Sequence, residues 1–318
     1  MIINEEKEIK RRVEELTGRV IYGTPIIKED TTQYMSIAGG MILRLAGNDY
    51  FVTGDATEGR FGIEDQPKFW VKYAYDLETG KKKIIKLVFH EDFTSRIGPF
   101  LIRGRRSPQK EAQVLEVVEE HPNFMQGKRV LDIAGNLVRI IDYVRGPSMY
   151  SFLKKLEIPH EQYYYEVLPG TIEKIMEAFE AIDFLNRSGL HHGDIRNDHI
   201  IIDAETGNYV WIDFDYEISH SDYDIWCLGN VLTYIVGKGS HTFVGVRTEP
   251  DKYQIDTSKV KFEPDDAMFF FRHRISNLKK LFPYIPDKLN DILLNFSAGT
   301  SFFYEDVKSL IDNIRSVF

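Results

Sequence analysis

"HHGDIRNDHIIIDAETGNYVWIDFDYE", residues 191–217, sets carboxylates directly beside two apolar runs, "HIII" and "YVWI". The runs are rich in β-branched and aromatic residues, and "AETGN" between them carries turn residues, so the spacing predicts a β-hairpin. Gly189 just upstream stops a periodic helical stretch. Asp194 and Asp213 then fall at corresponding ends of the hairpin. Carboxylates held close together raise each other's pKa unless a cation neutralises them, which makes a metal the economical partner. Zinc-type donors are scarce here, whereas oxygen ligands suit magnesium carrying a phosphate.

The rest of the chain is compatible with such a site in an ordinary globular protein. Its 318 residues are enough for one large domain or two lobes, and 43% hydrophobic with 28% charged residues excludes disordered, collagen-like and coiled-coil chains. A net charge of -9 disfavours generic attraction to nucleic acid or anionic lipid. The opening "MIINEEKEIK" lacks a signal-type apolar core, and no run approaches the roughly 18 apolar residues of a spanning helix, so no membrane role and a cytoplasmic location are expected. A lone cysteine, Cys227, excludes an intrachain disulfide and a cysteine-cluster metal site, and its apolar setting reads as packing.

Two regions differ in pattern. After a charged helix (about Glu5 to Leu16, with Ile9, Val13 and Leu16 on one stripe) come strand-like segments "QYMSI", "GMILRL", "DYFVTG", "KFWVKYAYD" and "KKIIKLVF". A helix, "SPQKEAQVLEVVEEHP", interrupts them, with Ser107 as cap and Pro108 in its first turn; the strands "GKRVLDIA" and "LVRIIDYV" follow. The basic run "RIGPFLIRGRRSPQK" could receive an acidic substrate or phosphate, but its simplest reading is a solvated loop before that helix. From about Gly146 helical periodicity dominates: "GTIEKIMEAFEAIDFLNRSG", the nearly all-apolar "DIWCLGNVLTYIVG", and "YEDVKSLIDNIRSVF". A β-rich lobe joined near "YVRG" to an α-rich lobe suggests a cleft. Within the first lobe, Glu111 shares a helix stripe with Leu115 and Val118, so its carboxylate faces inward and needs a cation, for which Lys86 is the natural partner.

From about Tyr50 to Phe318 the chain resembles the protein-kinase-like fold, and serine/threonine protein kinases most closely. "HGDIRNDH" stands for the family's catalytic loop and "DFD" for its DFG. "IIDYVRG" resembles the hinge, and "SDYDIWCLGNV" the central helix of the C-lobe, with Asp224 bracing the catalytic loop. The resemblance implies an α+β, bilobal fold: an N-terminal extension of helix and strands over residues 1–49, a β-rich N-lobe with one αC-type helix and the hinge over 50–145, and an α-rich C-lobe over 146–318. It implies ATP and Mg2+ as cofactors, with a protein or small-molecule hydroxyl as acceptor. Asp194 becomes the catalytic base, Arg196 the cation that steadies the transferred group, and Lys86 with Glu111 the phosphate-holding ion pair. Gly59, Gly62, Val71, Lys86, Asp142, Val144 and Ile201 become the nucleotide set, and Asp213, His199 and Asp215 the metal set.

The departures from the family pattern are specific. His199 replaces the asparagine of the catalytic loop, and imidazole favours Mn2+ over Mg2+. Asp215 replaces the glycine of DFG, Thr57 the first glycine of the Gly-rich loop, and Ile84 the alanine that lies against adenine. About eight residues stand in place of a full activation segment, and Gly193 replaces the arginine that would read a phosphate there. Retention of Lys86, Glu111, Asp194 and Asp213 predicts a phosphotransferase; the departures leave a nucleotide-binding pseudokinase or scaffold, or an aminoglycoside- or choline-kinase-like enzyme, as alternatives.

Overall fold

The computed structural model describes residues 2–60, 63–97, 100–220, 222–253 and 255–318. The chain begins with α1 (Ile2–Thr17), β1 (Ile27–Lys28), β2 (Ile42–Leu45), β3 (Asn48–Arg60), β4 (Ile63–Asp76) and β5 (Lys82–Lys86). It continues through β6 (Glu91–Ile97), β7 (Phe100–Arg106), α2 (Pro108–Val117), β8 (Gly127–Leu131) and β9 (Leu137–Asp142). Then come α3 (Met149–Lys155), α4 (His160–Glu166), α5 (Leu168–Arg187), β10 (Ile200–Ile202), β11 (Tyr209–Trp211) and β12 (Tyr216–Ile218). The last elements are α6 (Tyr223–Val236), α7 (Phe243–Thr248), α8 (Asp287–Leu294) and α9 (Val307–Arg315).

The elements form two compact units. One takes in the chain up to Glu91, Arg106–Glu120 and Met125–Val144. It is built on a seven-stranded sheet in the order β1-β2-β3-β4-β5-β9-β8. Alternation along the strands buries Leu43, Tyr50, Val52, Ile85, Val138 and Ile140 in one cluster, and fully buried apolar side chains of this kind contribute about 1.5–3 kcal/mol each. The stripe on α1 closes a second cluster, in which Ile9 and Val13 meet Ile42, Phe51 and Leu77. Arg12 secures that helix by donating from Nε to the Leu77 carbonyl at 2.8 Å. α2 starts where its sequence says it should: the Ser107 side chain accepts from the Lys110 N–H and Pro108 occupies the first turn.

The other unit takes in Asp92–Arg105, His121–Phe124 and Arg145–Phe318. Its core lies along α5 and α6, where Ile172, Ile175, Phe179, Ile182, Leu228, Leu232 and Ile235 are buried. β10 and β11 pair antiparallel, with Ile200 opposite Trp211. Trp211 is fully buried, and its indole N–H donates to the Ala178 carbonyl of α5 at 2.7 Å, which fixes the hairpin on that helix.

Two local expectations change. "QYMSI" is not a strand: Tyr34–Ser36 form a 3-10 turn, with Met35 largely exposed. The basic run before α2 is not a solvated loop, because most of it forms β7 and the end of β6. These strands join β12 in a sheet of order β12-β7-β6 within the second unit. The short segment after "DFD" is therefore a strand. The Ser219 N–H donates to the Arg103 carbonyl at 3.0 Å, and Phe93 meets Tyr216 edge-on at 4.9 Å.

Candidate active site

In the second unit the site is assembled on the loop between α5 and β10. Gly189, at φ 77, ends α5 by reversing the chain, and the Leu190 N–H returns to the Leu185 carbonyl at 3.2 Å. The loop is then clamped from α6. Asp224, buried in the first turn, accepts the N–H of His192 at 2.7 Å and that of Gly193 at 2.9 Å on its two oxygens. The brace expected of Asp224 is present. Nδ1 of the buried His192 accepts the Asp194 N–H at 3.2 Å, and the ring lies against Trp211 and Phe214.

Gly193 has φ +81, and a Cβ there would lie 2.2 Å from the carbonyl oxygen of Tyr216 in β12. A left-handed backbone disfavours a side chain, and a carbonyl oxygen this close leaves no room for one. The glycine of "HGD" thus lets the strand after "DFD" pass directly beneath Asp194.

His199 sits between the two carboxylates. Its Nδ1 lies 2.8 Å from the carbonyl oxygen of Asp194, which can only accept, so Nδ1 carries a proton and donates to it. Nδ1 is also 3.5 Å from Oδ2 of Asp194, and Nε2 is 3.8 Å from Oδ2 of Asp213. Asp213 has φ 63, an unfavourable backbone for a residue with a side chain and one that tends to occur where a group must be aimed. Phe214, fully buried against Phe124, and the buried Asp215 anchor the segment that follows it. Asp213 and Asp215 bring carboxylate oxygens within 4.8 Å of each other.

Burial pushes the Asp194 carboxyl above its ordinary range; nearby His199 and Arg196 pull it down, and Asp213 pushes it up again. Asp198 goes the other way: burial opposes its charge, but the hydrogen bond from Arg196 and the neighbouring cationic groups outweigh that and hold it low. Arg196 is ion-paired with Asp198, Nε to Oδ1 at 3.0 Å. Ile201 lies in β10, partly buried.

The first unit holds a charged cluster built on β5, α2 and β9. Lys86 Nζ lies 2.5 Å from Glu111 Oε1, the pairing that the helix stripe predicts. Arg139, which the sequence reading passes over, takes the other oxygen at 3.1 Å and also donates to the carbonyls of Leu87 and Leu137. Lys86 and Arg139 face each other across the β5–β9 ladder. Two cations directly opposed repel, and the fully buried Glu111 carboxylate between them removes that penalty. An arginine inside the apolar strand "LVRIID" was the available signal.

Of the nucleotide set, Val71 is buried in β4 opposite Lys86, and Gly59 lies in β3. Gly62 lies outside the described residues. The Asp142 N–H is committed to the Gln126 carbonyl at 2.8 Å, so a ligand at Asp142 would use its carbonyl; Val144 follows, partly buried.

No protein-family model matches this sequence, and no curated protein does. Among solved structures it is similar to the crystal structure of the kinase domain of PknI from Mycobacterium tuberculosis, with a TM-score of 0.52 over 88% of this chain and 98% of that one. The chain has a protein-kinase-like fold. The sequences are 14% identical, so the likeness is one of architecture: a β-rich N-terminal part and a helical C-terminal part. No helix among the described residues is long and apolar enough to cross a membrane.

Proposed function

We propose that the protein is an ATP-dependent phosphotransferase that moves the γ-phosphoryl group to a hydroxyl acceptor. The observation that carries this reading is the placing of Asp194 and Asp213 on either side of His199, whose Nδ1 donates to the Asp194 carbonyl and whose Nε2 lies 3.8 Å from Oδ2 of Asp213. Asp194, its carboxyl pushed up by burial, receives the hydroxyl proton. Arg196 offsets charge on the transferred group, and Lys86, fixed by Glu111 and Arg139, holds nucleotide phosphates. Gly59, Gly62, Val71, Asp142, Val144 and Ile201 complete the nucleotide site.

The donor set of Asp213, Asp215 and His199 Nε2 fits a divalent cation, with the imidazole favouring Mn2+ beside Mg2+. Such a cation would neutralise phosphate charge. The residues themselves supply position: Asp224 holds the loop of Asp194, and the β10–β11 hairpin sets the spacing of Asp194 from Asp213.

Thermal unfolding with ATP and either Mg2+ or Mn2+ tests the reading. Saturation at 100 times the dissociation constant adds about 2.7 kcal/mol, and this gain should vanish in Asp213→Ala. Turnover should vanish in Asp194→Ala with the thermal shift retained. A metal-dependent shift without turnover would leave a nucleotide-binding scaffold; no shift with either metal would overturn the nucleotide site itself.

A further inference from the structure

Beside Asp194, within the second unit, opens a cavity of about 620 Å³. That is the volume of a small-molecule site, which runs roughly 300–1,000 Å³. Rings of Tyr150, Tyr223, Tyr234 and Phe270 wall it. Arg274 enters it with its guanidinium stacked on Phe271, 4.2 Å from the ring centroid. Among the described residues that guanidinium has no carboxylate and no hydrogen-bond acceptor. It is partly withdrawn from water, and burial pushes its pKa down. Arg96 of β6 lines the same cavity, also without an ion pair among the described residues.

The charge balance inside the cavity is lopsided. Arg196 is ion-paired with Asp198. Asp194 then shares the cavity wall with two arginines that have no ion pair among the described residues. A guanidinium held against an aromatic ring, half out of water and without an anion, is costly to keep unless a ligand supplies the anion. A polycationic acceptor such as an amino sugar would meet the wrong sign, and a neutral one would leave both arginines unpaired. The aromatic walls suit the apolar faces of a sugar or polyol ring.

We propose that the acceptor is a small polyhydroxylated anion, a sugar or polyol bearing a carboxylate or phosphate, which Arg274 and Arg96 hold by its charge while a hydroxyl is presented to Asp194. The inference rests on the phosphotransfer reading. In the step, a bond forms between the acceptor oxygen and the γ-phosphorus of ATP as the bond from that phosphorus to the bridging oxygen breaks. ADP departs and the hydroxyl proton passes to the Asp194 carboxylate.

The test is ADP release from the full chain with ATP and Mn2+ or Mg2+, against panels of neutral sugars and polyols, amino sugars, sugar acids, sugar monophosphates and serine/threonine peptides. Turnover is expected with the sugar acids or the monophosphates, and the better panel identifies the anion. Arg274→Gln should raise the acceptor KM by about ten- to a hundredfold, the worth of a charge-assisted hydrogen bond, with the KM for ATP unchanged. Preference for neutral, amino-sugar or peptide acceptors, or an acceptor KM indifferent to Arg274→Gln and Arg96→Gln, would overturn the proposal. So would intact nucleotide binding with no anionic acceptor turned over. Loss of nucleotide binding in the wild type would instead sink the phosphotransfer reading.

Discussion

Replacing Gly193 by alanine separates two effects that the loop carrying Asp194 combines. Gly193 has a left-handed backbone and lies under the Tyr216 carbonyl of β12, where an added Cβ would sit at 2.2 Å. The conformational part costs about 1–2 kcal/mol for any residue with a side chain. The steric part is larger in consequence, because the obstacle is backbone. Loop and strand must part by about 1 Å before an ordinary contact is restored, and overpacking of that kind costs about 1–3 kcal/mol. A displacement of about 1 Å beside a catalytic group lowers rate roughly a hundredfold.

Gly189, at φ +77 with nothing within 4 Å of its Cβ position, is the matched control, since Gly189→Ala pays the conformational part alone. Urea unfolding of the two variants should show Gly193→Ala less stable by about 1–3 kcal/mol, and turnover should fall in Gly193→Ala only. Equal stability and equal turnover in the two variants would refute the argument that β12 dictates the glycine of "HGD".

Arg139→Met removes one of two cations from the buried Glu111 carboxylate and should cost about 3 kcal/mol in urea unfolding; the double variant with Glu111→Gln should recover part of it, and no loss in the single variant would dismiss the cluster as structural cement. His199→Asn should move the metal that best supports ATP-dependent thermal stabilisation from Mn2+ toward Mg2+; an unchanged preference would remove His199 from the metal set. Burial depresses both His160 and His241 to about 4. A depressed histidine contributes stability that is present above its unfolded value near 6.5 and is lost as pH falls toward 4. The protein should therefore lose on the order of 3 kcal/mol per histidine across that window. His241→Leu should flatten that slope in pH-dependent melts, and an unchanged slope would show that other groups drive the acid transition.

Much of this was legible because it rests on short-range regularities. The hairpin of "HIII" and "YVWI", the stripe on α1, the caps of α2 and the apolar α5 and α6 follow from periodicity and turn residues. The Lys86–Glu111 pair follows from asking what an inward-facing carboxylate needs. What was missed lacked a period. In β7 the inward positions are Ile102, Gly104 and Arg106, and a glycine and an arginine hide the alternation that marks a strand. Gly104 is required by close packing, since a Cβ there would strike the Phe93 ring at 2.1 Å. β12 has three residues, too few to show any pattern, and its pairing depends on a partner more than a hundred positions earlier. Arg139 was visible as an oddity in a strand, but its role needed the register that puts it opposite Lys86.

The course of the polypeptide between its two units has a practical corollary. The chain leaves the first unit after Glu91, returns at Arg106, leaves again after Glu120, returns at Met125 and departs for good after Val144. Neither unit is one continuous piece. A fragment starting at Arg145 would lack the β6–β7 strands that pair with β12 and the Asn123 side chain, whose Nδ2 donates to the Tyr209 carbonyl at 3.0 Å. The complementary fragment would carry those strands without β12, the third strand of their sheet. Cutting at the apparent linker should therefore yield two insoluble halves, and co-expressing them could rescue a protein that neither half can make alone.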